Sequence, residues 1–409
     1  MALHSAQGPR LGLPQMISSR AQFGVYGAAI PLVLVVLLYL GFASTGTVLA
    51  GQAVSAATHV DSNAFGILVF AGLTALVAIV GYRWIHGLGR IASVVGILGL
   101  GYLAIRLFMV HDFSGVLDPS EFDLGTFLLA MSLSAGWQLT YGPYVADYSR
   151  YLPRTTKEST TFWATFAGSV GGATISMTLG VFVAVAGGKA FLGQQVQYLG
   201  GLAQAAWIAV IIYIVLIIGK LTINTLNAYG GFMSIATTLS AWTKSDKISP
   251  VTRIVWILGF NLVAAGIALW ASSDFLGNFK SFVLALLMVF TPWSAINLLD
   301  YYVISKEKVD IPALYDPAGR YGGWQWGTIA VYVIGVLAQI PFMAQALYTG
   351  PATKALGGVD ISWIVGLVLT AIIYYPVAKR SVVQPERMIY PDHMNIRHED
   401  FDVLDPFPR

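Results

Sequence analysis

The feature that most constrains this chain is a succession of long apolar stretches with very few charged residues. Ten such stretches follow one another, at 26–54, 64–82, 91–110, 122–144, 161–188, 202–230, 251–270, 279–300, 327–347 and 359–378. A helix needs about 20 mostly apolar residues to cross the hydrocarbon core of a bilayer. Because the apolar runs are continuous and do not alternate with polar residues, they favour helices over a β-barrel. The sequence therefore predicts an all-α polytopic membrane protein with ten transmembrane helices.

Composition excludes the soluble classes of protein. Charged residues make up 11% of the 409 residues, whereas a soluble domain carries about 25%, and the mean hydropathy is +0.70. The absence of Cys excludes a disulfide scaffold, and a net charge of +3 does not favour nucleic acid as a partner. The sequence contains neither an H-E-x-x-H nor a G-x-S-x-G motif, so we expect no enzyme and no cofactor.

The distribution of Lys and Arg predicts the orientation in the membrane. Of the 23 Lys and Arg residues, 18 fall in segments on the same side as residue 1, four on the opposite side, and one, Lys220, inside a span. Cytoplasmic loops carry such an excess, so both termini are expected in the cytoplasm of a cell that holds the protein in its plasma or inner membrane. We therefore divide the chain into a cytoplasmic segment 1–25, a transmembrane transporter domain 26–380 and a cytoplasmic tail 381–409. Residues 1–25 lack the apolar region of a signal peptide.

The fourth span has an unusually polar centre at 132–140, with the sequence SLSAGWQLT. Gly136, Trp137 and Gln138 lie in it, at a depth where lipid offers no hydrogen bonds. Discontinuous helices with such centres line substrate cavities in transporters. A kinked helix with a purely structural role is the alternative. None of the six His lies deep in a predicted span, which argues against a metalloprotease site.

The sixth span carries two amides on one helical face, Asn224 and Asn227, three residues apart. They could present donors and acceptors to a planar polar ligand, although hydrogen bonds between helices would explain them equally well. Lys220 precedes them in the same span. An ammonium at that depth should face a cavity, a partner or water, unless the side chain extends to the interface.

At 141–153 the sequence YGPYVADYSRYLP resembles the nucleobase–cation symporter-1 family, permeases for cytosine, purines, uracil, allantoin, hydantoins and thiamine. Three further stretches agree in the same order: GLPQM at 12–16, PWSAI at 292–296 followed by DYY, and YGGW at 321–324. Four ordered matches along almost the whole chain are a specific signal. The resemblance implies a LeuT-like fold of two inverted five-helix repeats plus two helices. The ten spans then match the third to twelfth helices, so the fold is expected to be N-terminally incomplete in this sequence.

The resemblance also implies which residues bind substrate. Phe42, midway along the first span, falls where many members have a Trp that stacks on the substrate ring. Trp137 falls on the second stacking aromatic, with Gly136 and Gln138 beside it. Asn224 and Asn227 fall near the family's substrate-binding amides. We therefore expect these six residues to form the substrate site: Phe42, Gly136, Trp137, Gln138, Asn224 and Asn227.

The coupling ion stays open between Na⁺ and H⁺. Gly219 and Thr222 fall near the family's cation ligands, so Na⁺ could bind there. Ile223 stands where sodium-coupled members have a hydroxyl, which argues against sodium. The ammonium of Lys220 could instead fill that place and carry a proton.

These observations predict a secondary active transporter, a cation symporter that imports a nucleobase or related heterocycle such as cytosine, a purine or allantoin by alternating access. Its partners would be that small molecule and membrane lipid, and the sequence does not predict an oligomeric state. An inactive or partial remnant of such a permease, or a non-coupled channel, are the alternatives.

Overall fold

The computed structural model describes residues 1–80, 82–116, 118–243, 249–345, 348–381 and 384–391, and this part of the chain is built from α-helices without a β-strand. Ten long helices overlap the ten predicted stretches one for one: α4 (Ala29–Thr58), α5 (Asn63–Val80), α6 (Tyr82–Val110), α7 (Leu124–Ser149), α8 (Glu158–Phe191), α10 (Ala206–Thr243), α11 (Pro250–Ala271), α12 (Phe275–Leu298), α13 (Trp326–Leu337) and α15 (Ser362–Ser381). The predicted all-α class is confirmed.

Shorter helices complete the described fold: α1 (Ala2–Leu11), α2 (Gln15–Ser18), α3 (Arg20–Phe23), α9 (Gln195–Gly201) and α14 (Pro351–Ala355). A π-helical turn, Leu299–Ile304, continues α12. Such turns are rare and lie often at functional sites, which makes the end of α12 a region of interest.

In the described part of the chain, six segments are long and apolar enough to cross a membrane: Ala29–Thr58, Ala92–Val110, Glu158–Phe191, Ala206–Leu239, Pro250–Ile304 and Ser362–Ser381. The segment Pro250–Ile304 holds both α11 and α12. Large apolar side chains such as Ile97, Ile175 and Leu262 are exposed on the outer faces of their helices. These features indicate a multi-pass membrane protein, since lipid is the solvent that such faces require.

Residues 1–23, which the sequence analysis assigns to a cytoplasmic segment, form α1 to α3 and are largely buried against α7, α8 and α12. Close approach explains the packing of α1, since a Cβ added to Gly8 would lie 2.0 Å from Ser149 Oγ on α7. His4, outside every predicted span, is fully buried on α1. The burial of this segment could not be predicted from its polar composition, because most of its polar groups are paired inside the protein.

The main hydrophobic cluster lies where α4, α12, α13 and α15 meet. Its largest members are buried completely or nearly so, among them Phe23, Leu38, Phe290, Trp293 and Tyr374. α4 runs through the middle of the described bundle and packs along α10, α5 and α11. A side chain from the centre of α4 is therefore surrounded by other helices, which is the position that a substrate site between helices needs.

Candidate functional site

Two aromatic rings from separate helices meet at the centre of the bundle. The ring centroids of Phe42 on α4 and Trp137 on α7 lie 6.3 Å apart, and their planes are inclined by 87°. Phe282 on α12 adds a third ring, 5.4 Å from that of Phe42. The structure thus brings together the two aromatic residues that the sequence analysis paired, in an edge-to-face contact.

Two glycines allow α12 to approach these rings. A Cβ added to Gly41, next to Phe42, would lie 2.1 Å from Cζ of Phe282, and one added to Gly136, next to Trp137, would lie 2.9 Å from Cγ1 of Val283. Neither position has room for a larger residue unless the side chain of Phe282 or of Val283 shifts. Gly136 therefore acts as a spacer that seats α12 over the aromatic pair.

The edge-to-face geometry bears on how a flat ligand could bind. The two rings touch and are almost perpendicular, so a planar heterocycle would stack on one ring and meet the edge of the other. The Trp137 side chain is 38% exposed, which leaves part of its face open. Aromatic pairs with centroids about 4.5–7 Å apart are favourable in both stacked and edge-to-face arrangements.

Asn224 on α10 faces the same part of α4. Its Nδ2 donates to the carbonyl oxygen of Ala43 at 2.8 Å and to Oγ1 of Thr47 at 2.9 Å. Its Oδ1 is buried and has no partner among the described residues. A Cβ added to Gly46 would lie 2.2 Å from this oxygen, so Gly46 leaves the space that Asn224 occupies.

Asn227 lies one turn further along α10 and is also buried. Its Nδ2 has no hydrogen-bond partner among the described residues. One unpaired acceptor on Asn224 and one unpaired donor on Asn227 thus lie on one helical face. A buried polar group without a partner costs about 1–3 kcal/mol, so both atoms favour a ligand that pairs with them.

Gln138 differs from its neighbours in that its amide is already paired. It forms hydrogen bonds of 2.7 Å and 2.9 Å with Oγ of Ser169 on α8. The side chain therefore links α7 to α8 in this conformation. Contact with a ligand at Trp137 would require Gln138 to leave Ser169.

The three expected coupling residues lie on α10 just before Asn224. Thr222 Oγ1 donates to the carbonyl of Ile218 at 3.0 Å, which leaves the lone pairs of the hydroxyl oxygen available. A Cβ on Gly219 would meet no atom within 4 Å. Among the described residues, no carboxylate lies within ion-pair distance of Lys220. Ile223 is 51% exposed, on another side of the helix from Asn224.

A second polar cluster lies away from the aromatic pair and was missed in the sequence analysis. It joins the N-terminal helices to the end of α12 and to α15 through His4, Gln7, Gln15, Gln22, Asn297, Asp300 and Tyr374. Most of the partners are separated by 270 or more positions along the chain. The available signal was that Gln15 and Asp300 lie in stretches that carry the family resemblance, 12–16 and 300–302.

Comparison with known proteins gives a consistent result. A profile of the family described as "Permease for cytosine/purines, uracil, thiamine, allantoin" matches residues 1–366. YxlA of Bacillus subtilis (strain 168), a protein named as a purine-cytosine permease, is 39% identical over 381 residues, which is 93% of this chain and 82% of that protein. The allantoin permease of the same organism is 23% identical over 91% of this chain and 79% of its own length.

Two solved structures share the fold. The inward-facing conformation of Mhp1 superposes with a TM-score of 0.72 at 17% identity, over 92% of this chain and 80% of Mhp1. Mhp1 in a closed conformation with bromovinylhydantoin bound, described as a nucleobase-cation-symport-1 family transporter, gives a TM-score of 0.65 at 19% identity, over 92% of this chain and 81% of that one. At these identities the likeness establishes the fold alone, and that fold is the LeuT-like one that was expected.

Proposed function

Because this chain belongs to the family of permeases for cytosine/purines, uracil, thiamine and allantoin, we propose that it imports a nucleobase or related small heterocycle together with a cation, by alternating access. The chain is a transporter of the nucleobase–cation symporter family and not an enzyme. Cytosine, purines and allantoin are the substrate classes that its named relatives suggest. The proposed location is the plasma or inner membrane, with both termini in the cytoplasm.

The observation that carries this proposal is the meeting of an aromatic pair with unpaired amide atoms. Asn224 binds the carbonyl of Ala43, the residue after Phe42, so the amide face of α10 adjoins the ring that faces Trp137. A planar ring would gain about 0.5–1.5 kcal/mol from aromatic contact beyond simple burial. Its polar edge would supply an N–H to Oδ1 of Asn224 and an acceptor to Nδ2 of Asn227.

Such an edge defines the substrate class. Lactam and amidine edges of nucleobases and of allantoin carry an N–H and a C=O or ring nitrogen side by side. A ring without this pattern would leave both amide atoms unpaired, at a cost of about 1–3 kcal/mol each. The site would therefore select heterocycles by hydrogen bonding and accept a range of ring sizes by stacking.

The test is uptake of radiolabelled cytosine, hypoxanthine and allantoin into vesicles, with unlabelled heterocycles as competitors. We expect Phe42→Ala and Trp137→Ala to abolish uptake at unchanged protein level, because each removes one ring of the pair. Phe166→Ala on the exposed face of α8 is the matched control and should transport normally. Normal uptake by both site variants would refute the proposed clamp, and flux without saturation or counterflow would support a channel instead.

Two coupling schemes remain in competition. Na⁺ could bind at the open space beside Gly219 and the hydroxyl oxygen of Thr222. Alternatively, the ammonium of Lys220, which has no anionic partner among the described residues, occupies that place and exchanges a proton. Coupling requires that the ion bind one orientation of the transporter better than the other. Uptake with sodium replaced by choline, measured across pH, separates them: sodium-independent uptake stimulated by acid would exclude the first scheme.

A further inference from the structure

Asp300 is a carboxylate buried in the π-helical turn at the end of α12. It is 5% exposed, and each of its oxygens accepts one hydrogen bond: Oδ2 from Nε2 of Gln22 at 2.9 Å, and Oδ1 from the hydroxyl of Tyr374 at 3.0 Å. Among the described residues, no cation lies within ion-pair distance of it. An ionisable residue without a counter-ion inside a membrane protein is expensive and is therefore a candidate functional group.

A chain of amides leads away from this carboxylate. Oε1 of Gln22 accepts from Nδ2 of Asn297 at 3.3 Å, and Oδ1 of Asn297 accepts from Nε2 of Gln7 at 3.0 Å. Nδ1 of His4 lies 3.1 Å from the same Asn297 oxygen. Every amide in this relay therefore directs its donor towards Asp300, because an ionised carboxylate can only accept.

From this arrangement we infer that Asp300 is a proton-binding site, and that its protonation releases the N-terminal helices α2 and α3 from α12 and α15. A protonated carboxyl has an O–H that needs an acceptor. A proton on Oδ2 faces Gln22, which can accept it only if its amide turns, and the amide oxygen then leaves Asn297. The donors of the relay then no longer all point towards Asp300, and the contact between α3 and the end of α12 weakens. The role of this proton in transport rests on the proposed function, whereas the site itself does not.

Asp300 has several titratable and charged side chains on the elements packed around it. They include His4, Arg10, Arg20, Asp147, Tyr301, Tyr302, Tyr321, Tyr332, Tyr374, Tyr375, Lys379 and Arg380. The guanidinium of Arg20 donates to the carbonyl oxygens of Leu314 and Thr237. The ammonium of Lys379 lies over the ring of Tyr375. Burial raises the pKa of Tyr321, in the loop between α12 and α13, to about 12, so it stays neutral. Two groups compete with Asp300: His4, at the far end of the relay, and Asp147 on α7, whose Oδ1 accepts from the backbone N–H of Gln15 on α2 at 2.9 Å.

The chain has no Cys, so a single introduced thiol can report on this contact. Ala21 on α3 is 6% exposed and packs in a cluster with Leu314 and Tyr321. In the purified Ala21→Cys protein, the rate of maleimide labelling is corrected for thiolate content by comparison with a free thiol. We expect the corrected rate to rise as the pH falls from about 8 to about 5. For one linked proton the rise is at most about tenfold per pH unit. In Ala21→Cys with Asp300→Asn the corrected rate should not change with pH.

Further variants separate the alternatives. Asp360→Asn is the control. Asp360 is another buried carboxylate, but it accepts from the backbone N–H groups of Ala344 and Ser362 at the other end of α15. The Asp360→Asn protein should therefore retain the pH response of the labelling rate. If Asp300→Asn does not fold, Tyr374→Phe provides the test, because loss of the donor should move the midpoint to higher pH. A flat rate in the parent protein, an unchanged response in Asp300→Asn, or a response abolished only by His4→Gln or by Asp147→Asn would overturn the inference. Labelling requires no substrate, so a failure of transport would not affect it.

Discussion

Gln339, two residues after the end of α13, donates its Nε2 to the carbonyl oxygen of Met288 on α12, at 2.8 Å. This carbonyl lies four residues before Pro292, which has no N–H to complete the helical hydrogen bond. Tyr332 on α13 donates to the next carbonyl, that of Val289, at 3.2 Å. Gln339 thus satisfies the carbonyl that the proline leaves without a helical partner, and Tyr332 adds a second hydrogen bond to the neighbouring turn of α12.

Gln339→Leu should destabilise the protein because it leaves the carbonyl of Met288 buried without a donor. The loss is expected at about 1–2 kcal/mol, since an unpaired buried group costs about 1–3 kcal/mol and the unpartnered Oε1 of Gln339 is removed at the same time. Thermal unfolding in detergent measures it. Tyr332→Phe should have a smaller effect, because its hydrogen bond is longer. Equal unfolding temperatures for Gln339→Leu and the parent protein would contradict this role of Gln339.

Gly46→Ala should displace Asn224, because the new Cβ would lie 2.2 Å from Oδ1 of that residue. Asn224 then loses its bonds to Ala43 and Thr47, so we expect uptake to fall sharply, measured as the initial rate at saturating and at low substrate. Gly72→Ala on α5 is the matched control, because a Cβ there meets nothing within 4 Å. That control should be neutral or more stable by about 0.5–1 kcal/mol, and normal uptake by Gly46→Ala would show that Asn224 is not positioned as described.

Asn227→Leu should separate stability from transport. The Nδ2 of Asn227 has no partner among the described residues, so its removal relieves an unpaired buried group and should raise stability, by up to about 1–3 kcal/mol. Uptake should nevertheless be lost, because the hydrogen-bond acceptor on the substrate no longer has the Nδ2 donor of Asn227. Asn224→Leu should instead lower stability, since two hydrogen bonds to α4 disappear. Unfolding temperatures and uptake of both variants are the measurement, and an Asn227→Leu protein that transports normally would exclude this residue from the site.

The fold could be predicted from the sequence because it depends on local apolar length. Each of the ten long helices has its own apolar run. The observed helices differ from the predicted stretches only at their ends, as in α10, which extends to Thr243. The proximity of Phe42 and Trp137 could not come from spacing, since they lie on different helices, and the prediction depended on the resemblance. The pairing of Gln138 with Ser169 was missed because no periodicity encodes which helix faces which.

The relay at Asp300 was missed for a further reason. Its residues lie in short polar helices and at a helix end, where hydropathy indicates solvent. They are buried because most of their polar groups find partners, many of them from a distant part of the chain, as His4 does with Asn297. The pairing of buried polar groups depends on the tertiary structure, whereas composition alone predicts that the same residues are exposed.

An ion cluster next to this relay joins α1 to two other elements. Nη1 of Arg10 lies 3.0 Å from Oε1 of Glu158 at the start of α8 and also binds Oε2 of Glu307 in the turn after α12. The Arg10 side chain is 36% exposed, so water and salt weaken the attraction, and exposed pairs typically contribute about 0.2–1 kcal/mol. Arg10→Met should lower stability by more than a single such pair, because two carboxylates then face each other without a cation.

A double-mutant cycle of Arg10→Met and Glu307→Gln, read by thermal unfolding, measures the coupling between these two residues. We expect a coupling energy that shrinks as salt is added, because the Debye length is about 10 Å at 0.1 M and about 3 Å at 1 M ionic strength. The pair Arg320 and Asp310, at 2.9 Å in the same loop region, provides a matched cycle that does not involve α1. If the Arg10 cycle gives no coupling at low salt while the Arg320 cycle does, then α1 is held by its buried polar contacts alone and the ion cluster has no part in anchoring it.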